Sequence, residues 1–190
     1  MGSTDETERI AEASPRLKAR IAGVFYLLTF VTGIFALVFV RGKLIANLTA
    51  SACYVVVTIL FYDLFKPVNS QLSLIAAFFS LVGCVISVLS PFHLAPFQIN
   101  SLAFFGVYCL LIGYLILKST FLPRILGALM MLGGLSWLTF LSPQLAKYLD
   151  PFNLAPGIFG EGALTVWLLV AGVNVERWKE RASRTGFGTD

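Results

Sequence analysis

Six runs of roughly 20 predominantly apolar residues, joined by short connections, take up the chain between residues 21 and 178. Crossing a hydrocarbon core about 30 Å thick takes about 20 helical residues, so each run reads as a membrane-spanning helix. Backbone amides in lipid must bond within their own segment or within a closed barrel, and long apolar runs without strict alternation exclude the barrel. The expected fold is all-α, a polytopic membrane protein with six transmembrane helices over 21–40, 44–65, 72–91, 97–117, 123–141 and 156–175.

Composition agrees with that solvent. The 190 residues are 57% hydrophobic and 13% charged, whereas soluble domains are about 25% charged. The chain divides into a polar tail over 1–20, a six-helix membrane domain over 21–175 and a basic tail over 176–190. The first apolar run is longer than the 7–15-residue core of a signal peptide, so it reads as a retained helix.

A net charge of +4 matters less here than where the charges fall. An even number of spans puts both tails on one side. That side carries Arg9, Arg16, Lys18, Arg20, Lys66, Lys118, Arg124, Arg177, Lys179, Arg181 and Arg184, against Arg41, Lys43 and Lys147 opposite. Both termini are therefore expected in the cytoplasm, and nucleic acid is not an expected partner.

The turns carry their own signals. Lys66-Pro67-Val68-Asn69 ends the second helix, and Ser119 or Thr120 is placed to cap a fifth helix opening with Pro123. Short turns make helices two and three, and four and five, antiparallel hairpins. Pro91-Phe92-His93-Leu94-Ala95-Pro96 and Pro151-Phe152-Asn153-Leu154-Ala155-Pro156 form a partial repeat that hints at duplication, although Pro at a helix start is generic. Cys53, Cys84 and Cys109 lie inside spans without paired spacing and read as packing residues, so no disulfide, metal or other cofactor is expected.

The stretch Gly113-Tyr114-Leu115-Ile116-Leu117-Lys118-Ser119-Thr120-Phe121-Leu122-Pro123-Arg124-Ile125-Leu126-Gly127 resembles the bacterial domain of unknown function 4386 family. Segments beginning at Ile21, Leu64 and Phe104, and Glu161 followed by Trp167-Leu168-Leu169-Val170-Ala171-Gly172-Val173, continue the likeness in the family's order. The resemblance implies a bacterial inner-membrane protein of about six spans and carries over no activity or ligand. One departure is the outer segment after the first helix, shortened here to Arg41-Gly42-Lys43.

Ionisable residues inside lipid mark function by default, which singles out Glu161 in the sixth helix. At comparable depth stand Asn47, Asn100, Ser101 and Ser136, the last beside Trp137, so a ligand-binding polar pocket in the outer half of the bundle is one expectation. The other is structural: Gly157, Gly160 and Gly162 let a neighbouring helix approach, and Glu161 then makes one interhelical hydrogen bond. Asp63 pairs with Lys66 at i to i+3. His93, the one histidine, reads as an exposed loop residue. Arg177, Lys179, Arg181 and Arg184 serve as topology signal or as a contact for anionic lipid.

No Gly-x-Ser-x-Gly, Walker-type loop or His-Glu-x-x-His motif occurs, so an enzyme is not expected. Two functions remain in view. One is a non-enzymatic accessory or assembly component, packed through Gly127, Gly133, Gly134, Gly157 and Gly160 and meeting a partner protein helix to helix. The other is a carrier or sensor that binds a small molecule or proton at Glu161.

Overall fold

The computed structural model describes residues 15–38, 43–92, 94 and 100–186. The expectations for residues 1–14, for Arg41 and for His93 lie outside the described residues. Among the described residues eight α-helices follow one another: α1 (Pro15–Val38), α2 (Lys43–Phe65), α3 (Ser70–Leu89), α4 (Ser101–Lys118), α5 (Arg124–Leu138), α6 (Pro143–Leu149), α7 (Ala155–Val170) and α8 (Val175–Arg184). No strand occurs among the described residues.

Polar caps decide where the apolar runs break. The Asn69 side chain accepts from the Leu72 N–H at 2.9 Å and starts α3, so α2 and α3 turn back on each other as the Lys66–Asn69 signal implies. The next turn differs from expectation. Ser119 closes α4, donating its hydroxyl to the Ile116 carbonyl at 2.8 Å, and Pro123 occupies the N-cap position of α5 without any side-chain bond. Proline's fixed φ suits the entry to a helix, and in place of a side-chain cap the Pro123 backbone carbonyl accepts from the Leu126 N–H at 3.1 Å.

From α1 to α5 each helix packs against the next, and α7 packs against both α5 and α1, closing a ring of six. Glycines set the closest approaches. A Cβ on Gly106 would stand 2.9 Å from the Gly134 carbonyl oxygen, and one on Gly160 would stand 2.5 Å from that of Leu129. Helix α5 is thus clasped backbone to backbone by α4 on one side and α7 on the other, as small residues permit in lipid.

The outer surface is apolar. Val31, Ile59, Phe78, Leu132, Phe159 and Val170 are exposed, whereas Thr58, Ser80, Ser136, Glu161 and Thr165 are buried. A surface of this kind is stable where lipid, not water, covers it. By length and composition Leu44–Phe65, Ser70–Phe92, Ser101–Lys118 and Arg124–Leu141 are long and apolar enough to cross a membrane, and Ala155–Val170 with Val175–Arg184 makes a fifth if that bent pair is one span.

The sixth apolar run is expected over 156–175, but α7 stops at Val170. Gly172 takes a φ of +67°, its N–H bonds the Trp167 carbonyl at 3.0 Å, and the chain bends by 103° into α8. The residues read as a basic tail are therefore helical through Arg184. Helix α8 is tied to the bundle by the Trp178 indole, which donates to the Leu64 carbonyl at 2.9 Å. At this same end Asp63 accepts from Lys66 at 3.3 Å, as the spacing implies, and also from Lys18 of α1 at 3.2 Å.

Candidate functional site

Glu161 stands near the middle of α7 and is buried inside the ring. Its carboxylate is held from three other helices. The Trp137 indole N–H of α5 donates to Oε1 at 2.6 Å, and the Tyr26 hydroxyl of α1 donates to Oε2 at 2.6 Å. The Tyr54 hydroxyl of α2 reaches Oε2 at 3.4 Å and lies 3.3 Å from that of Tyr26. The Cys109 thiol of α4 adjoins the same carboxylate.

Local sequence makes this geometry. Gly157 lies one turn before Glu161 on the same face of α7, and a Cβ there would overlap the Trp137 ring. The missing side chain is the slot in which the indole lies, with its N–H delivered to the carboxylate one turn on. Tyr26 and Tyr54 pack edge to face with ring centroids 5.5 Å apart, and Tyr54 leans on Phe105 at 4.6 Å and Tyr108 at 5.7 Å. This aromatic wall closes the carboxylate off from the bundle's outside, where an unscreened hydrogen bond is strong and an unpaired group costly.

The other residues expected beside Glu161 are not hydrogen-bonded to it. Asn100 is exposed and spends its side chain capping α4, accepting from the Leu102 N–H at 3.0 Å. Ser136 is buried and donates to the Asn153 backbone carbonyl. Asn47 in α2 and Ser101 at the start of α4 are half-buried. Ser136 instead belongs to a separate polar knot closing the α5–α7 connection, where Asn153 Nδ2 donates to Thr139 Oγ1 at 3.2 Å. Gly133 and Gly157 do meet, as the packing reading requires: a Cβ on Gly133 would lie 3.1 Å from the Gly157 Cα.

Tyr26 and Tyr54 are the partners that sequence reasoning missed. A tyrosine hydroxyl deep within an apolar run needs a polar partner, unlike Tyr62 and Tyr114 near the ends of their helices, and that was the available signal. Cys53, Cys84 and Cys109 are free and buried, on three different helices. Among the described residues no group of three His, Cys, Asp or Glu is placed to hold a metal ion.

The family described as Domain of unknown function (DUF4386) matches residues 40–100 and 92–172. The chain belongs to that family. An uncharacterized protein of Archaeoglobus fulgidus is similar, 24% identical over 158 residues that cover 80% of this chain and 93% of the relative. No solved structure matches. The matched residues take in Tyr54, Trp137 and Glu161, so these three members of the buried cluster fall inside the family's span while Tyr26 precedes it.

Proposed function

We propose that this protein is a six-span component of a bacterial cytoplasmic membrane with both termini inside, that it catalyses no reaction, and that it serves as an accessory or assembly subunit. The six spans are α1 to α5 and α7. Helix α1 has 24 residues and α7 has 16, or about 24 Å for α7, a mismatch that local thinning of the bilayer accommodates. The inside placement is supported by charge: the start of α1, the α2–α3 and α4–α5 turns and α8 meet at one end with most of the lysines and arginines, while Lys43 and Lys147 fall at the other.

The observation that carries the structural role is that both oxygens of Glu161 already have donors from within the bundle. A carboxylate so occupied works as an interhelical tie. The test is native mass spectrometry of the tagged protein in mild detergent. A stoichiometric partner that Glu161→Gln leaves bound is the expected result. A monomer carrying a small molecule whose mass disappears with Glu161→Gln overturns it.

One observation favours a second reading, a carrier or sensor of a small molecule or proton. The Tyr108 hydroxyl, beside Tyr54, is buried and without a hydrogen-bond partner, and a buried hydroxyl of this kind is a donor that a small polar ligand could satisfy. Under this reading Tyr108→Phe weakens the response to that ligand; under the structural reading it is neutral or stabilising.

A further inference from the structure

Arg177, Arg181 and Arg184 follow one another on α8 at helical i, i+4 and i+3 steps, so their side chains share one face, from which Lys179 is offset. With Thr120 of the α4–α5 turn and Glu180 they line a notch of about 200 Å³, several times the roughly 30 Å³ that one water occupies. Three bonds fix the notch to the bundle. The Asn174 N–H donates to the Phe121 carbonyl at 3.1 Å, Arg177 Nη1 to the Thr120 carbonyl at 3.2 Å, and the Trp178 indole to the Leu64 carbonyl at 2.9 Å.

Three guanidinium groups face one carboxylate there, and Glu180 is already taken by Arg184 at 2.6 Å. The Arg181 Nε–H is buried and has no acceptor. A guanidinium presents its N–H groups as a planar fork, and the oxygens of a phosphate match that fork two at a time. A notch lined by three guanidinium groups and one carboxylate that is already paired is therefore complementary to a phosphate group.

We propose that this notch binds a phosphate group, and that the group belongs to the headgroup of an anionic membrane lipid. The bend at Gly172 turns α8 by 103° from α7, so when α7 crosses the bilayer α8 runs along its surface, at headgroup depth. The lipid source rests on the membrane placement proposed above. Arg181 supplies the fork, Arg177 and Arg184 the flanking charge, and Lys179 only the general field.

The test uses the full-length protein in detergent, offered phosphatidylglycerol and phosphatidylcholine in equal amounts and read by native mass spectrometry. Phosphatidylglycerol is expected to be retained about tenfold over phosphatidylcholine. Arg181→Lys keeps the charge but not the fork and is expected to reduce that preference about fivefold with unchanged thermal unfolding, while Lys179→Gln leaves it intact. Equal effects of the two variants mean diffuse charge attraction and overturn the site. A second arm offers millimolar inorganic phosphate: no displacement of lipid is expected, and retention of phosphate without lipid preference overturns the lipid assignment. Failure of the membrane placement shows separately, as protein in the supernatant after ultracentrifugation without detergent.

Discussion

Gly113 of α4 and Gly127 of α5 touch backbone to backbone: a Cβ on either would stand 2.7 Å from the other's carbonyl oxygen. Gly106 and Gly134 repeat the contact two turns along, so the two helices are in register over most of their length. Alanine at Gly113 or Gly127 must force the helices apart, and backbone is not displaced as cheaply as a side chain. Overpacking of this kind costs about 1–3 kcal/mol, more than the roughly 0.5–1 kcal/mol that alanine gains in helix propensity. Gly162→Ala, with nothing within 4 Å of the added carbon, is expected to be neutral or slightly stabilising. Thermal unfolding in detergent, followed by labelling of the fully buried Cys109, separates them; equal melting of all three variants contradicts the close approach.

Gly157 and Trp137 make a second expectation because they act on one hydrogen bond. Gly157→Ala pushes the indole out of its slot, and Trp137→Phe deletes the donor, so both take the N–H from Oε1 of Glu161. Each is expected to cost about 1–3 kcal/mol, the range for leaving a buried polar group unsatisfied. The double variant should lose much less than the sum, since the second change has nothing left to break. A double-mutant cycle on melting measures this, and an additive result denies that Gly157 works through Trp137.

The all-helical architecture was legible because lipid demands it: runs of about 20 apolar residues have few other ways to satisfy their backbone. Glu161 was legible for the same reason, as a charge where charge is expensive. Its partners were not. Depth along a helix can be read from sequence, but which face points inward cannot when the outer face is as apolar as the core, so Asn47, Asn100, Ser101 and Ser136 were grouped with Glu161 by depth alone. Lipid rewards apolar surface outside the ring as much as inside it; a hydroxyl deep in an apolar run marks Tyr26 and Tyr54 but equally Tyr108, and only tertiary packing shows which of them reach Glu161. The bend at Gly172 was hidden too, because Val173 and Val175 continue the apolar run past the real end of α7.

Asp63 links α1 to α2 through Lys18 and braces Lys66 within its own turn. All three side chains are about a third exposed, so solvent screens the pairs and Asp63→Asn is expected to cost no more than about 0.2–1 kcal/mol. The difference between parent and variant should shrink as ionic strength rises, because the attraction is screened over about 10 Å at 0.1 M salt. Melting of both proteins across a salt series checks this; a large, salt-independent loss means Asp63 does more than pair.

Trp178 reports on a different cooperative unit. Its bond to the Leu64 carbonyl ties α8 to the end of α2, and Ala182, 2% exposed, is covered by that docking. Trp178→Phe keeps the apolar ring and removes one hydrogen bond, worth about 0.5–1.5 kcal/mol, which raises the undocked population of α8 roughly two- to tenfold. The six-helix ring does not depend on this bond, so global melting should stay with the parent while the local opening increases. An Ala182→Cys background makes the two separable: its thiol is shielded while α8 is docked and labels when it lifts. Trp178→Phe in that background is expected to speed labelling by the same two- to tenfold at unchanged melting temperature. Unchanged labelling would leave the indole bond without a role in docking, and a parallel fall in melting would make α8 part of the bundle's own cooperative core.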